Sequence, residues 1–178
     1  MKKYKLDRGY VHILTGEGPG KTTAAFGLAV RALGWGLKVC VIQFLKKRTS
    51  GENLFFRRYR KNIVVRQFGT RNFVNKGIIS PEDIKLAIKG LEYAQKIILS
   101  RKFDLVILDE VNMALYFGLL KVEDIILLIK SKPENVELVL TGRNAPQELL
   151  DYADYLIKIE CLRHPFSRGQ AARKGIEF

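Results

Sequence analysis

The sequence is poor in the residues that build metal clusters and disulfide frameworks. Its 178 residues include only two cysteines and two histidines. Cys40 lies in an apolar run, Cys161 is far from it, and neither has a CxxC partner or a histidine at metal-ligand spacing. His12 and His164 are equally isolated, and packing within a strand explains His12. These absences argue against a zinc or disulfide-rich protein, and we expect both thiols to be free and buried.

Long hydrophobic runs are also missing. No segment approaches the roughly 18 to 20 consecutive apolar residues that span a bilayer. The first ten residues, MKKYKLDRGY, contain no apolar core of a secretory signal. We therefore expect a cytoplasmic protein that makes no use of a membrane.

Acidic residues are scarce relative to basic ones. The chain has 18 Asp and Glu against 31 Lys and Arg, which gives a net charge of +13. Such a charge implies an anionic partner or a generally basic surface, and ATP would serve as that partner. Nucleic acid is an alternative, because basic clusters at residues 46–48 and 57–61 could contact phosphates. These clusters carry no nucleic-acid-binding motif, so we expect the smaller anion.

Apolar segments rich in valine, isoleucine and leucine alternate with longer helical patterns. This order is typical of a parallel sheet with helices on both faces. We predict strands at Tyr10–Leu14, Lys38–Phe44, Ile63–Phe68, Leu105–Leu108, Glu137–Leu140 and Tyr155–Glu160, and helices at Lys21–Leu33, Pro81–Leu99, Val122–Lys130 and Pro146–Tyr152. The fold class is α/β, with an open, mostly parallel, doubly wound sheet, whose ligands bind at the carboxyl ends of the strands. Polar connections at residues 46–52 and 69–79 could be substrate loops.

A glycine-rich turn lies between the first strand and the first helix, which is the context of a phosphate-binding loop. Backbone N–H groups in such a turn converge on phosphate oxygens, and the helix N-terminus adds partial positive charge. Lys21 would neutralise phosphate charge and the Thr22 hydroxyl would reach Mg²⁺. The pattern GxxxxGK[ST] is matched imperfectly, because Thr15 replaces its first glycine and Pro19 removes one N–H. The predicted nucleotide-binding residues are Gly16, Glu17, Gly18, Pro19, Gly20, Lys21, Thr22 and Thr23.

An apolar strand that ends in two acids supplies the second half of a nucleotide site. Residues 103–110 read FDLVILDE, which is a Walker-B pattern. A carboxylate at a buried strand end costs desolvation energy unless a cation or a hydrogen-bond donor meets it. We expect one of Asp109 and Glu110 to bind Mg²⁺ and the other to support it; the alternative is that one caps a helix beginning at Val111.

These motifs resemble those of the ATP:corrinoid adenosyltransferases of cobalamin synthesis and salvage, over about residues 10–178. The resemblance consists of an ordered series: TGEGPGKTTAAFGLAVRALGWG, VCVIQFLK, the pair Gly51-Glu52, LDEVNMAL, LTGRNAPQELLDYADYLIKI and RHPFSRGQAARKGIEF. It implies a single P-loop domain of RecA-like architecture over residues 1–178. It also implies that a Co(I) corrinoid, such as cob(I)yrinic acid a,c-diamide or cob(I)alamin, attacks the ribose 5′ carbon of ATP and that triphosphate leaves.

The resemblance also implies site residues and partners. Lys21 and Arg143 would act on the leaving triphosphate, with Glu110 as first choice for the metal and Asp109 in support. Phe73 would lie beside the corrinoid, although many members carry a tryptophan in this loop and here the one tryptophan is Trp35, after the first helix. A homodimer is implied, together with a flavoprotein or other reductase that supplies Co(I).

Three alternatives remain at the level of the sequence. A generic P-loop ATPase or small-molecule kinase would share the ATP site and make ADP. Arg143 could be a surface residue beside the helix at Pro146. Residues 163–178 could form a lid or a dimer contact, as the resemblance favours, or a surface arm with incidental charge.

Overall fold

The computed structural model describes residues 4–47, 49–58, 61–70 and 79–177. Strands and helices alternate along most of the chain. In chain order they are β1 (Val11–Thr15), α1 (Lys21–Gly34), β2 (Val39–Phe44), α2 (Gly51–Arg57), β3 (Ile63–Phe68), α3 (Pro81–Leu99), β4 (Leu105–Asp109), α4 (Val111–Tyr116), α5 (Val122–Lys130), β5 (Glu137–Thr141), α6 (Gln147–Leu150), β6 (Tyr155–Lys158) and a short 3₁₀ helix at Pro165–Arg168.

The six strands form one sheet in the order β3-β2-β4-β5-β1-β6, and every pair is parallel. Strand β5 therefore lies between β1, which leads into the glycine loop, and β4, which ends in the acids. Because all strands run the same way, their carboxyl ends share one edge, and this edge carries the predicted site. The α/β fold class and the open parallel P-loop sheet predicted from the sequence are confirmed.

The sheet is covered on both faces. Successive residues of β2 point to opposite sides: Cys40, Ile42 and Phe44 belong to one apolar cluster, and Val39 and Val41 belong to the other. The first cluster includes side chains of α3, α4 and α5, and the second includes side chains of α1 and α2. All six residues of β2 are buried, as expected for a strand with helices on both sides.

Helix α3 begins and ends where the sequence predicts. Ser80 is its N-cap, Pro81 is the first helical residue, and Ser80 and Asp83 form a reciprocal capping box. The Asp83 N–H donates to the Ser80 hydroxyl at 3.2 Å, and the Ser80 N–H donates to the Asp83 carboxylate at 3.0 Å. Local capping chemistry therefore sets this helix start.

Three local predictions were wrong or incomplete. The predicted loop at residues 46–52 ends early, because α2 begins at Gly51 with Ser50 as its extended N-cap. The last predicted helix shrinks to Gln147–Leu150. Cys40 is buried as predicted, but Cys161 is exposed because the chain has already left the sheet at β6.

No helix in the described ranges combines the length and apolarity that crossing a bilayer requires.

Candidate active site

The start of α1 forms the anion-binding half of the site. Gly20 precedes the helix with φ +106°, a left-handed conformation that favours glycine, and its carbonyl accepts the first helical bond from Ala24 at 2.7 Å. The N–H groups of Lys21, Thr22 and Thr23 therefore have no acceptor within the helix. Three convergent donors at the N-terminus of a 14-residue helix suit a phosphate group.

Gly16 and Gly18 meet the end of β6. A Cβ on Gly16 would lie 2.4 Å from the Ile159 carbonyl oxygen, and one on Gly18 would lie 2.7 Å from the Glu160 carbonyl carbon. The Gly18 N–H donates to the Ile159 carbonyl at 2.9 Å. These glycines therefore let the chain after β6 pack against the loop. The Gly18 N–H, which was predicted to contact phosphate, donates to a protein carbonyl in this structure.

Lys21 lies inside the loop. Its ammonium donates to the carbonyl oxygens of Gly16 at 2.5 Å and Gly18 at 2.6 Å, and the residue is buried. Burial, followed by the nearby Arg143 guanidinium, lowers the pKa of Lys21. The loop thus surrounds the Lys21 ammonium, which is the group predicted to neutralise phosphate charge.

Asp109, the last residue of β4, is fully buried and receives four hydrogen bonds. Thr22 and Thr141 hydroxyls donate to its Oδ1 at 2.8 Å and 2.7 Å. The Gln43 amide and the Lys46 ammonium donate to its Oδ2 at 2.9 Å and 2.7 Å. Burial alone would raise the pKa of Asp109, but Lys46 and the other donors lower it. Asp109 is therefore a carboxylate held in its charged form at the centre of the site.

Glu110 has a different environment. Its backbone is left-handed, with φ +62°, a strained conformation for a residue other than glycine, and its N–H donates to the Thr141 hydroxyl at 3.0 Å. Its side chain is 26% exposed and lies 3.8 Å from the Lys46 ammonium. Burial raises the pKa of Glu110, and the neighbouring Asp109 carboxylate adds to that effect. Of the two carboxylates, Glu110 is therefore the one more available to bind a ligand.

The three residues predicted to bind Mg²⁺ surround one point. The Lys46 ammonium occupies it, at 2.7 Å from Asp109 Oδ2, 3.3 Å from Thr22 Oγ1 and 3.8 Å from Glu110 Oε1. A positive group therefore already lies among these oxygens. Mg²⁺ prefers oxygen ligands, and its sites use one or two carboxylates together with phosphates and water. The residues present fit this metal.

Arg143 lies beside the glycine loop. It follows β5, and its Nη1 donates to Glu17 Oε2 at 3.0 Å, with both side chains more than half exposed. The preceding Gly142 has φ +134°, and a Cβ there would lie 2.9 Å from Asn112 Cβ. Buried Asn112 donates to the Gly142 carbonyl at 3.1 Å. The structure thus brings Arg143 to the nucleotide-binding loop, although its side chain remains at the surface.

Polar residues that were not predicted from the sequence connect the strand ends. Gln43 and Thr141 are buried beside Asp109, and Asn53 of α2 donates to the Gln43 carbonyl oxygen at 3.0 Å. Lys46 was considered only as part of a basic cluster and as the last residue of the motif VCVIQFLK. A signal existed for two of them, since Gln43 interrupts the apolar sequence of β2 and Thr141 follows the apolar residues 138–140 at the end of β5.

The first residues of the two predicted substrate loops, Lys46 and Gly69, meet at the same edge. A Cβ on Gly69 would lie 2.3 Å from the backbone nitrogen of Lys46. Beside them, Asn53, Phe56 and Arg57 of α2, with residues 63–67, line a cavity of about 440 Å³. Phe73, the predicted corrinoid contact, lies outside the described residues.

Comparison with known proteins bears on this site. The family model described as ATP:corrinoid adenosyltransferase BtuR/CobO/CobP matches residues 7–178. The corrinoid adenosyltransferase of Pseudomonas aeruginosa is 35% identical, over 97% of this chain and 85% of its own length. That of a Sinorhizobium species is 33% identical over 97% and 81%. That of Escherichia coli K12 is 30% identical over 97% and 87%. These matches confirm the resemblance drawn from the sequence motifs, and the chain belongs to the ATP:corrinoid adenosyltransferase family.

Proposed function

We propose that the protein transfers the 5′-deoxyadenosyl group of ATP to the cobalt of a Co(I) corrinoid and releases triphosphate. The cobalt electron pair forms the new Co–C5′ bond, and the C5′–O5′ bond breaks with its electrons leaving on triphosphate. Family membership supports adenosyl transfer to a corrinoid. The nucleophile, the leaving group and the residues are our proposals.

One observation carries the assignment of residues to this reaction. The Thr22 hydroxyl, in the first turn of α1, donates to Asp109 at the end of β4 at 2.8 Å. This bond joins the anion-binding helix start to the acidic strand end, so a phosphate chain and its cation would lie side by side. Such a pairing suits a reaction in which a highly charged polyphosphate departs.

The triphosphate would be bound by the N–H groups of residues 20–23 and by Lys21. Arg143 would add a guanidinium once it exchanges its exposed contact with Glu17 for phosphate, which is the more strongly charged partner. Of the loop residues predicted to bind nucleotide, Pro19 has no N–H to donate and the Gly18 N–H is donated to Ile159. We therefore place the main contacts at the helix start rather than along the whole loop.

Mg²⁺ would be held by Thr22 and Glu110, with Asp109 orienting Thr22. When bound it would offset charge on the departing triphosphate. Asp109 already accepts four hydrogen bonds, which leaves Glu110 as the freer carboxylate. This distribution supports our first choice of Glu110 for the metal.

The corrinoid would approach from the edge where Leu45 and Lys46 meet Gly69. Co(I) is a strong nucleophile, so the chemistry requires no general base. The protein would orient the ribose carbon and exclude competing water. Phe73 stays a prediction for the corrinoid side, and cobalamin and its a,c-diamide precursor are the proposed substrates.

Partners and organisation also belong to the proposal. Residues 1–178 would form one nucleotide-binding domain, with 163–178 as a lid or dimer contact. A homodimer and a flavoprotein or other reductase are expected from the family resemblance, and the cytoplasmic location stays a prediction. We do not propose a nucleic-acid partner.

The test mixes protein, Mg-ATP and a chemically reduced corrinoid. We expect a light-sensitive alkylcobalt spectrum and one triphosphate for each adenosyl group transferred. The rival activity, a P-loop ATPase or kinase, would instead yield ADP with no change in the corrinoid spectrum. ADP as the sole nucleotide product would rule out the proposed reaction.

A further inference from the structure

We propose that Lys46 is a built-in cation that competes with the divalent metal for the same oxygens and is displaced when the metal binds. This inference rests on the proposed function only in taking Thr22 and Glu110 as the residues that bind the metal and Asp109 as the residue that orients Thr22. It adds a role for Lys46, which lies between β2 and α2 and to which the sequence motifs assigned no function.

The geometry places the ammonium where the metal would go. Lys46 Nζ contacts Asp109 Oδ2 at 2.7 Å and lies 3.3 Å from Thr22 Oγ1 and 3.8 Å from Glu110 Oε1. These are one hydroxyl and two carboxylates, drawn from α1, β4 and the first residue after β4. A surface lysine paired with one acid would not be centred on all three.

Two cations cannot share this position. Like charges a few ångströms apart repel strongly where water is scarce, and Asp109 is fully buried. A metal bound to Thr22 and Glu110 would also need the oxygen surface that the ammonium now covers. Binding of the metal therefore requires Lys46 to leave Asp109.

Lys46 is able to leave. Its side chain is 32% exposed, so water reaches one side of it. A lysine has a flexible four-carbon stem and a compact charge, which makes such a movement easier than for arginine. The residue before it, Leu45, has φ +58°, so the backbone that presents Lys46 is itself in an uncommon conformation.

The consequence is a coupling between metal and nucleotide. Without nucleotide, the metal must displace an ammonium from its 2.7 Å contact with the buried Asp109 carboxylate. With nucleotide, the phosphates offer the displaced ammonium a new anion. Free metal should therefore bind weakly and metal with ATP tightly, which suits an enzyme that must not fill its site with metal alone.

The test measures Mn²⁺ binding without nucleotide by electron paramagnetic resonance. Lys46→Gln removes the competitor and should bind Mn²⁺ at least about tenfold more tightly than the unaltered protein. Lys46→Arg keeps the charge and should stay close to the unaltered protein. Lys47→Gln is the matched control, because Lys47 is the exposed neighbour and should change nothing.

A second measurement needs no substitution and so does not depend on whether the variants fold. The unaltered protein is acylated with a lysine-reactive reagent and the modified peptides are quantified by mass spectrometry. Saturating Mn²⁺ should increase acylation of Lys46 several-fold and leave Lys47 unchanged.

The inference would be overturned if Lys46→Gln bound Mn²⁺ no more tightly than the unaltered protein, or if Mn²⁺ did not change the acylation of Lys46. These readouts are separate from the proposed reaction. If the unaltered protein makes an adenosylated corrinoid while Lys46→Gln and Lys47→Gln bind Mn²⁺ alike, only the inference about Lys46 fails. If it makes none, the Mn²⁺ and acylation results still decide whether Lys46 competes with the metal.

Discussion

The centre of the sheet and its β6 edge are built on opposite principles. At the centre, Asp109 is fully buried and saturated by donors from three other strands or helices and one connecting segment. At the edge, all four residues of β6 are exposed, with Leu156 and Ile157 at 51% and 42%. Buried charge is tolerated where hydrogen bonds surround it, and exposed apolar side chains need a cover from elsewhere.

This difference separates two kinds of evidence about function. The centre brings the predicted nucleotide and metal residues together within one chain. The edge continues into residues 161–177, where Leu162 and Phe166 are 91% and 73% exposed. An apolar edge of this kind supports the proposed dimer or lid role of the tail. Substitutions matched by residue type in the two regions can test the division.

The largest effect is expected from Lys21→Ala at the centre. Loss of the charge that we propose meets a leaving triphosphate should lower the rate of adenosyl transfer by about 10²- to 10³-fold. The melting temperature should change little, because Lys21 bonds only to carbonyls of its own loop. Lys158→Ala removes an exposed lysine of β6 and should leave the rate within about twofold. Equal rates for the two variants would contradict the proposed difference between the centre of the sheet and the β6 edge.

The acids give the second contrast. Glu110→Gln should lower the rate by about 10²-fold and raise the Mg²⁺ concentration needed for half-maximal activity, because a neutral amide is a weaker ligand than a carboxylate. The control is Glu160→Gln, which alters an exposed acid paired with Lys158 at the edge. Rates of both variants measured across a Mg²⁺ titration test whether Glu110→Gln alone raises the Mg²⁺ requirement. An unchanged Mg²⁺ requirement in Glu110→Gln would move the metal to another carboxylate.

The arginines sharpen the boundary between the regions. Arg143→Ala should lower kcat/KM by about tenfold, since one charge-assisted phosphate contact is lost from an exposed side chain. Arg173→Ala in the tail should have no effect on single-turnover rates. Arg143→Lys should recover part of the loss, because a point charge replaces the planar fork. If Arg143→Ala keeps full activity, Arg143 is only the surface partner of Glu17.

The smallest effect concerns stability. Although burial would raise it, the pKa of Asp83 is lowered from its usual 3.8 because Ser80 and Thr70 donate hydrogen bonds to the carboxylate. Asp83→Asn should therefore cost about 1 kcal/mol at neutral pH, the typical value of a helix cap. A carboxylate with a lowered pKa stabilises the fold above its unfolded pKa and loses that effect as pH falls through the folded value.

Urea unfolding at several pH values measures the contribution of Asp83. The difference in free energy of unfolding between the unaltered protein and Asp83→Asn should be constant from about pH 5 to 8 and shrink below the usual pKa of the acid. Glu92→Gln, which alters an exposed acid in the middle of α3, should change the free energy of unfolding by less than about 0.5 kcal/mol at every pH. A difference for Asp83→Asn that persists at low pH would mean that geometry, and not charge, sets the contribution of the cap.

Much of the fold could be predicted because its signals are local. Helix α3 carries its own capping box, and β2 is apolar except for Gln43, as is typical of a strand buried on both faces. Helix α2 was missed because seven residues with a glycine at the start give too little periodicity to recognise. The long helix with its own cap was therefore predicted well, and the short helices α2 and α6 were not.

The site was only half predictable for a different reason. The motifs identify Lys21, Thr22, Asp109 and Glu110, but strand order decides what surrounds them. Gln43, Lys46 and Thr141 reach Asp109 because β2 and β5 flank β4, and no local pattern encodes that order. A glycine likewise does not reveal what approaches it, and at Gly18 the approaching group is the chain after β6.

The most direct test of the central claim is a crystal structure of the protein with Mg²⁺ and a non-reactive ATP analogue. We predict that the phosphates contact the N–H groups of residues 20–23 and the Lys21 ammonium, with Mg²⁺ on Thr22 and Glu110. The ribose C5′ should face the open edge beside Gly69. A structure with phosphates elsewhere and these amides bound to other groups, or with C5′ enclosed by protein, would contradict the account.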